Sequence, residues 1–193
     1  RAGDYNENFG IVHSLIGESY FYLNDYVQAD TWLRQALIVF DKVGAPRPKT
    51  EALSMIGRLK IEEKKYDEAG RFLNEGVKAA KEKSLRVDYI ANLSLLGQLE
   101  VLQKNYTKAK PILEESIKAS REMNKYNTLW ESLYWLGMLY KENKQLPQSR
   151  DYLKEAVVVI EKIRNKVTGG EEARKLFSSD KNILKVYEAL VDV

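Results

Sequence analysis

Ser14-Leu15-Ile16-Gly17-Glu18-Ser19-Tyr20 recurs as Ser54-Met55-Ile56-Gly57-Arg58-Leu59-Lys60, as Ser94-Leu95-Leu96-Gly97-Gln98-Leu99-Glu100 and as Tyr134-Trp135-Leu136-Gly137-Met138-Leu139-Tyr140. The four glycines stand 40 residues apart, without an insertion or deletion. A Tyr or Leu follows each glycine after nine residues (Tyr26, Tyr66, Tyr106, Leu146), and a small residue three further on (Ala29, Ala69, Ala109, Ser149). Then come Leu33, Leu73, Leu113 and Leu153, and the small Ala36, Gly76, Ser116 and Ala156. A glycine inside a helix costs about 0.8–1 kcal/mol relative to alanine, so four in one register call for compensation. Close approach of a second helix supplies it, with the small residues twelve positions later as the matching face.

The apolar residues recur at helical spacings, and each stripe needs a neighbour to bury it. The expected fold is therefore all-α, a right-handed α-solenoid of four antiparallel helix pairs followed by further helices at the C-terminal end. First helices are expected near 7–23, 48–63, 86–103 and 127–143, and second helices near 26–43, 66–83, 106–123 and 147–166. The pairs then span about 7–46, 47–85, 86–125 and 126–166, a repeat region of 1–166, with 167–193 as capping or linking helices. Asn24-Asp25, Lys64-Lys65, Lys104-Asn105 and Lys144-Gln145 are the short polar turns within pairs. Gly44-Ala45-Pro46-Arg47-Pro48 reads as a stiff connector between pairs. Pro147 suits a first helical turn, whereas Pro111 should bend its helix or mark a late start.

After the fourth pair, Thr168-Gly169-Gly170 should break the helix. Glu171-Glu172 favours a new first turn and Ser178, Ser179 or Asp180 a further cap. The last helix carries Ile183, Leu184, Tyr187, Leu190 and Val191, read as one face. That stripe either packs back on the fourth pair as its cap or is covered by chain beyond Val193. The first residue is Arg1 and not methionine, and the chain reads as a segment of a longer protein.

Composition narrows the function. The chain has 31 Lys+Arg against 28 Asp+Glu, a net charge of +3, which gives no electrostatic case for nucleic acid. No apolar run is long enough to span a membrane, and the N-terminus lacks a signal-peptide core. With no cysteine, disulfides, thiolate metal sites and a cysteine nucleophile are excluded. A reducing compartment fits, and a cytoplasmic location is the expectation. His13 is the only histidine and offers neither a ligand set nor a base with its orienting partner. Pairs such as Glu62-Glu63 and Glu114-Glu115 diverge around a helix, and no phosphate-loop, dinucleotide or zinc-protease motif is present. No enzyme, metal or cofactor is expected.

The glycine, tyrosine, alanine, leucine, alanine pattern over about residues 10–160 resembles the tetratricopeptide repeat. It departs from the common 34-residue form in its length of 40 and in lacking the terminal proline, which longer helices would account for. The resemblance implies a protein- or peptide-binding scaffold whose inner wall is lined by first-helix residues. Carried onto this register, those are Ser14, Glu18, Phe21 and Tyr22, then Ser54, Arg58 and Ile61. In the later pairs they are Ser94, Gln98 and Val101, and Tyr134, Trp135, Met138 and Lys141. The lysine, asparagine and arginine clamp of the chaperone-binding members has no counterpart here, which argues against a chaperone tail as ligand. Trp130, Tyr134, Trp135, Met138 and Tyr140 crowd one helix, as interface anchors or as core; both readings stay open.

Ile160-Glu161-Lys162-Ile163-Arg164, Glu172-Ala173-Arg174-Lys175-Leu176-Phe177 and Val186-Tyr187-Glu188-Ala189-Leu190-Val191 resemble the junction between such arrays and caspase-like CHAT protease domains of bacterial proteins. That resemblance implies a recognition array regulating a protease on the same polypeptide, sensing another protein or an RNA-guided complex. A second reading is a peptide- or small-ligand sensor similar to bacterial signalling-peptide receptors, which carry an effector domain upstream. Direct RNA binding is the weakest, given the near-neutral charge.

Overall fold

The structure, a computed structural model, describes residues 6–167, 170 and 181–193. Its helices are α1 (Glu7–Tyr22), α2 (Tyr26–Val43), α3 (Pro46–Glu62), α4 (Tyr66–Glu82), α5 (Arg86–Leu102), α6 (Tyr106–Glu122), α7 (Tyr126–Glu142), α8 (Leu146–Arg164) and α9 (Lys181–Val191). Among the described residues there is no strand. The eight repeat helices fall within two residues of their expected bounds. The packing divides the chain into two compact units, Arg1–Leu99 and Glu100–Val193.

The glycine register has the physical basis expected of it. A methyl group on Gly17 would lie 2.7 Å from the Leu33 Cγ, on Gly57 2.6 Å from the Leu73 Cγ and on Gly137 2.9 Å from the Leu153 Cγ. The closest neighbour is thus the leucine sixteen residues on. The small residue at twelve contributes its backbone: the Ala29 and Ser149 carbonyl oxygens lie 3.2 and 3.4 Å from the added methyls on Gly17 and Gly137.

Contacts between successive pairs use a second column of small residues, also sixteen apart. Ala36 and Ala52 are buried in one cluster with Phe40 and Ala45. Gly76 faces Asn92, and the buried Ser116 and Ser132 hydroxyls are 2.9 Å apart. In the first unit α2 therefore packs on both sides at once. It lies against α1 through Leu33 at Gly17 and Phe40 at Gly10, and Ala29 and Leu33 share a core cluster with Ile56 and Leu59 of α3. In the second unit Ala109, Leu113 and Ile117 of α6 join Leu129, Leu133 and Leu136 of α7 in the same way.

The turns follow a finer period. Asn24, Gly44, Lys64, Ser84, Lys104, Asn124 and Lys144 have φ between 54° and 68°, one residue in every twenty. The next residue's N–H in each case donates to the carbonyl five residues back, from Asp25 to Tyr20 through Gln145 to Tyr140, at 2.8–3.0 Å. This closure of a helix C-terminus satisfies a carbonyl that would otherwise be orphaned. Turns within pairs and turns between pairs are therefore the same structure.

Two proline readings need correction. Pro46 and Pro48 are not connector but lie in the first turn of α3, where a missing N–H has no intrahelical partner to lose. Of the two readings of Pro111, a bend or a late start, the late start is excluded, since α6 runs through it from Tyr106. Pro147 falls in the first turn of α8 as expected.

α9 packs on the fourth pair, which favours the capping reading of this helix. Its buried face differs from the one read in sequence, for Ile183, Val186 and Ala189 point inward while Leu184 and Val191 are exposed. Tyr187 donates to the Glu161 carboxylate at 2.5 Å, and burial together with that carboxylate pushes its phenol up to about 12. Lys141 pairs with Asp192 at 3.2 Å. The expected break at Thr168-Gly169, the first turn at Glu171-Glu172 and the cap at Ser178, Ser179 and Asp180 lie outside the described residues.

Candidate binding surfaces

The inner positions derived above up to Gln98 lie on α1, α3 and α5 in the first unit, and Val101 and those on α7 lie in the second. In the first unit Tyr22 is 65% exposed, whereas Glu18, Arg58 and Gln98 are half-buried. Phe21 packs at the edge of the Ala29–Leu33–Ile56–Leu59 cluster, its ring 5.6 Å from that of Tyr22 and 5.9 Å from that of Tyr26. Ser94 and Ile61 are buried and belong to packing, as does Val101 in the core of the second unit. Phe21 and Ile61 thus turn toward the core of the first unit, where α1 and α3 meet.

In the second unit Tyr134 and Trp135 are half-buried against the core and meet edge to face at 5.1 Å; Met138 is half-buried beside them. Burial, then the Glu188 carboxylate of α9, raises the Tyr134 phenol above its usual range. Trp130 is core, and Tyr140 stacks flat on Tyr152 at 5.4 Å. Most of the aromatic crowding on α7 is therefore packing against α6, α8 and α9. The side of Tyr134 that faces Glu188 is taken by α9.

Other charged clusters are structural. The Lys60 ammonium, 3% exposed, lies 3.0 Å from Asp30 and 2.7 Å from Glu63, and Arg34 and Lys65 close the network at 2.8 and 2.7 Å. Burial pushes the Asp30 carboxyl up, but the Arg34 and Lys60 hydrogen bonds together bring it below its ordinary value. Glu63 behaves likewise between Lys60 and Lys65. Every charge here has an opposite partner, so none is poised for proton transfer. His13 packs on Trp32 at 5.2 Å between ring centroids. Among the described residues no group of His, Asp and Glu could hold a metal ion, and no helix is long and apolar enough to cross a membrane.

A sequence profile of the tetratricopeptide repeat matches residues 131–158, which hold Gly137, Ser149, Leu153 and Ala156. A tetratricopeptide repeat is present there. No curated protein sequence matches the chain. Among solved structures, aspartyl phosphate phosphatase F from Bacillus subtilis aligns with a TM-score of 0.74 at 16% identity, over 96% of this chain and 49% of that one. The Rap conjugation gene regulator of plasmid pLS20, solved in complex with the Phr* peptide, gives 0.67 at 11%, over 93% and 52%. A kinesin light chain with nearly identical TPR-like repeats from Podosopora anserina gives 0.65 at 13%, over 97% and 89%. The chain spans about half the length of the first two. Identities this low speak to fold alone, and that fold is the all-α solenoid of helix pairs.

Proposed function

We propose that this chain is a protein- and peptide-binding scaffold, its ligand held by side chains at the inner positions of the first helices. One observation carries the reading. The glycine and leucine that close each pair recur in all four (Gly17, Gly57, Gly97 and Gly137 with Leu33, Leu73, Leu113 and Leu153), whereas the inner position one residue after each glycine is an acid, a base, an amide and a thioether (Glu18, Arg58, Gln98, Met138). Stacking constrains the first set, and a ligand is what gives a varied second set its use. The likeness to a regulator solved with a peptide supports the same reading. No catalytic role is proposed.

The test is selection of peptides from a displayed random library on the immobilised chain, followed by affinities for variants. Enriched peptides should bind Arg58→Glu and Tyr22→Ala at least about fivefold more weakly, the scale of an interface side chain worth about 1 kcal/mol. Absence of enrichment, or affinities unchanged in both variants, would sink the proposal.

A peptide-sensing regulator fits the fold likeness as well as a constitutive scaffold does, since two of the aligned structures are a phosphatase and a conjugation regulator. Regulation of a protease on the same polypeptide rests on the sequence resemblance of the stretches around Ile160–Arg164, Glu172–Phe177 and Val186–Val191. The coding sequence flanking this segment separates the two. An upstream effector domain supports the sensor, and a downstream caspase-like domain the protease array.

A further inference from the structure

α9 falls outside the 40-residue register, yet it offers the same inner edge as the first helices. Val186 is its most deeply buried residue, with Ile183 and Ala189 buried to either side. Lys185, Glu188 and Asp192 stand one residue before, two after and six after Val186, as Glu51, Ser54 and Arg58 stand to the buried Ala52 of α3. At about 100° per residue, both sets fall about 100–160° to the same side of the buried centre. Tyr134 and Met138 stand two and six residues after the buried Ser132 of α7, so Glu188 and Asp192 are their counterparts on α9.

Contacts with α7 agree with this placement. Asp192 meets the Lys141 ammonium at 3.2 Å, and burial first, then the Glu188 carboxylate, raises the Tyr134 phenol. Lys141 and Tyr134 are themselves inner positions, so the inner edges of α7 and α9 adjoin. Such an edge stays open inside an array: α3 has helices packed before and after it, and keeps Glu51 exposed and Ser54 and Arg58 half-buried.

The two carboxylates of α9 differ in what they have left to bind. Asp192 is neutralised by Lys141. Glu188 is exposed and forms no ion pair among the described residues, not even with Lys185 three positions earlier. Its neighbour across the two helices is the half-buried Tyr134, whose ring is braced edge to face by Trp135, with Met138 one turn further along α7. A carboxylate bordered by an aromatic ring and a thioether suits a cation on an apolar stem. The carboxylate pairs with the charge, while ring and sulfur cover the stem.

We propose that Glu188 and Tyr134 receive an arginine or lysine side chain of the bound peptide, which makes the inner surface of the second unit selective for basic ligands. This rests on the scaffold reading and adds to it the charge of the ligand.

The test is selection of peptides from a displayed random library on the full wild-type chain, with affinities then measured on the wild type and on Glu188→Arg. Enriched peptides should carry a lysine or arginine at a fixed position. They should bind Glu188→Arg at least about tenfold more weakly, and bind the wild type less tightly as salt is raised. Glu188 is exposed, so the melting temperatures of the two chains should agree. Exchanging the fixed basic residue for glutamate should reverse the preference, the altered peptide binding Glu188→Arg better than the wild type; a merely structural role of Glu188 gives no reversal. Enriched peptides without a fixed basic residue, equal affinity for both chains, or a loss without the reversal would overturn this proposal and leave the scaffold reading standing. Absence of any enrichment would overturn both.

Discussion

Gly57→Ala is the sharpest probe of a single residue, because propensity and packing predict opposite signs. Alanine in an unhindered helix would gain about 1 kcal/mol over glycine. Here the new methyl would stand 2.6 Å from the Leu73 Cγ, and overpacking of that kind costs about 1–3 kcal/mol. A net loss of up to about 2 kcal/mol is expected in urea unfolding, and a gain would contradict the packing. His13 gives the reverse case. It occupies the register of Leu53, Leu93 and Leu133, which are core, and its Nδ1 is buried without a hydrogen bond. His13→Leu should stabilise the fold by about 1 kcal/mol at pH 7, read as a higher urea midpoint with unchanged slope. The glycine register was legible in sequence because its helix penalty demanded a partner. That Leu33 and Leu73 would be that partner was not, since the added-methyl contact falls sixteen residues away, on the facing helix.

Among the elements, the turns make the clearest prediction. Lys64, Lys104 and Lys144 adopt φ near 60°, which costs a non-glycine residue about 1–2 kcal/mol, whereas glycine brings an entropy penalty of about 0.5–1 kcal/mol. Each Lys→Gly substitution there should therefore raise stability by about 0.5–1 kcal/mol, and Lys→Ala should not. The ion network between α2 and α3 predicts a pH dependence. Asp30 and Glu63 titrate below their ordinary values, so their contribution is full above about pH 5 and fades as pH falls through their folded values. Lys60 titrates above its ordinary value, so its contribution fades only as pH rises beyond about 10.4. Lys60→Met should cost about 2–3 kcal/mol between pH 5 and 10 and little below pH 3, by thermal unfolding across pH. An equal cost at both ends would mean that Lys60 acts through its packing and not its charge. Helix bounds were legible because helical periods and polar turns agree at every junction. The Pro46–Pro48 segment was not, because proline in a first turn reads the same as proline in a loop. The buried face of α9 was missed because apolar residues cover more than half its circumference, and period alone does not choose between Val186 and Leu184.

For the whole molecule, the repeat and its fold follow from spacing, whereas the ligand does not. Packing positions declare themselves by recurrence, so Gly17, Leu33 and Ala36 identify their counterparts down the chain. The proposed binding positions do not recur, and their chemistry has to be read one at a time. Glu18, Tyr22, Arg58 and Gln98, the positions proposed to meet the ligand, lie open or half-open on the first unit. Tyr134 and Trp135 do not separate cleanly from the core, because tyrosine and tryptophan serve packing and recognition equally well. The most direct test of the scaffold reading is the affinity of a library-selected peptide for the wild-type chain and for Arg58→Glu, compared side by side. The account predicts a loss of at least about fivefold with the fold intact; equal affinity for both chains would contradict it.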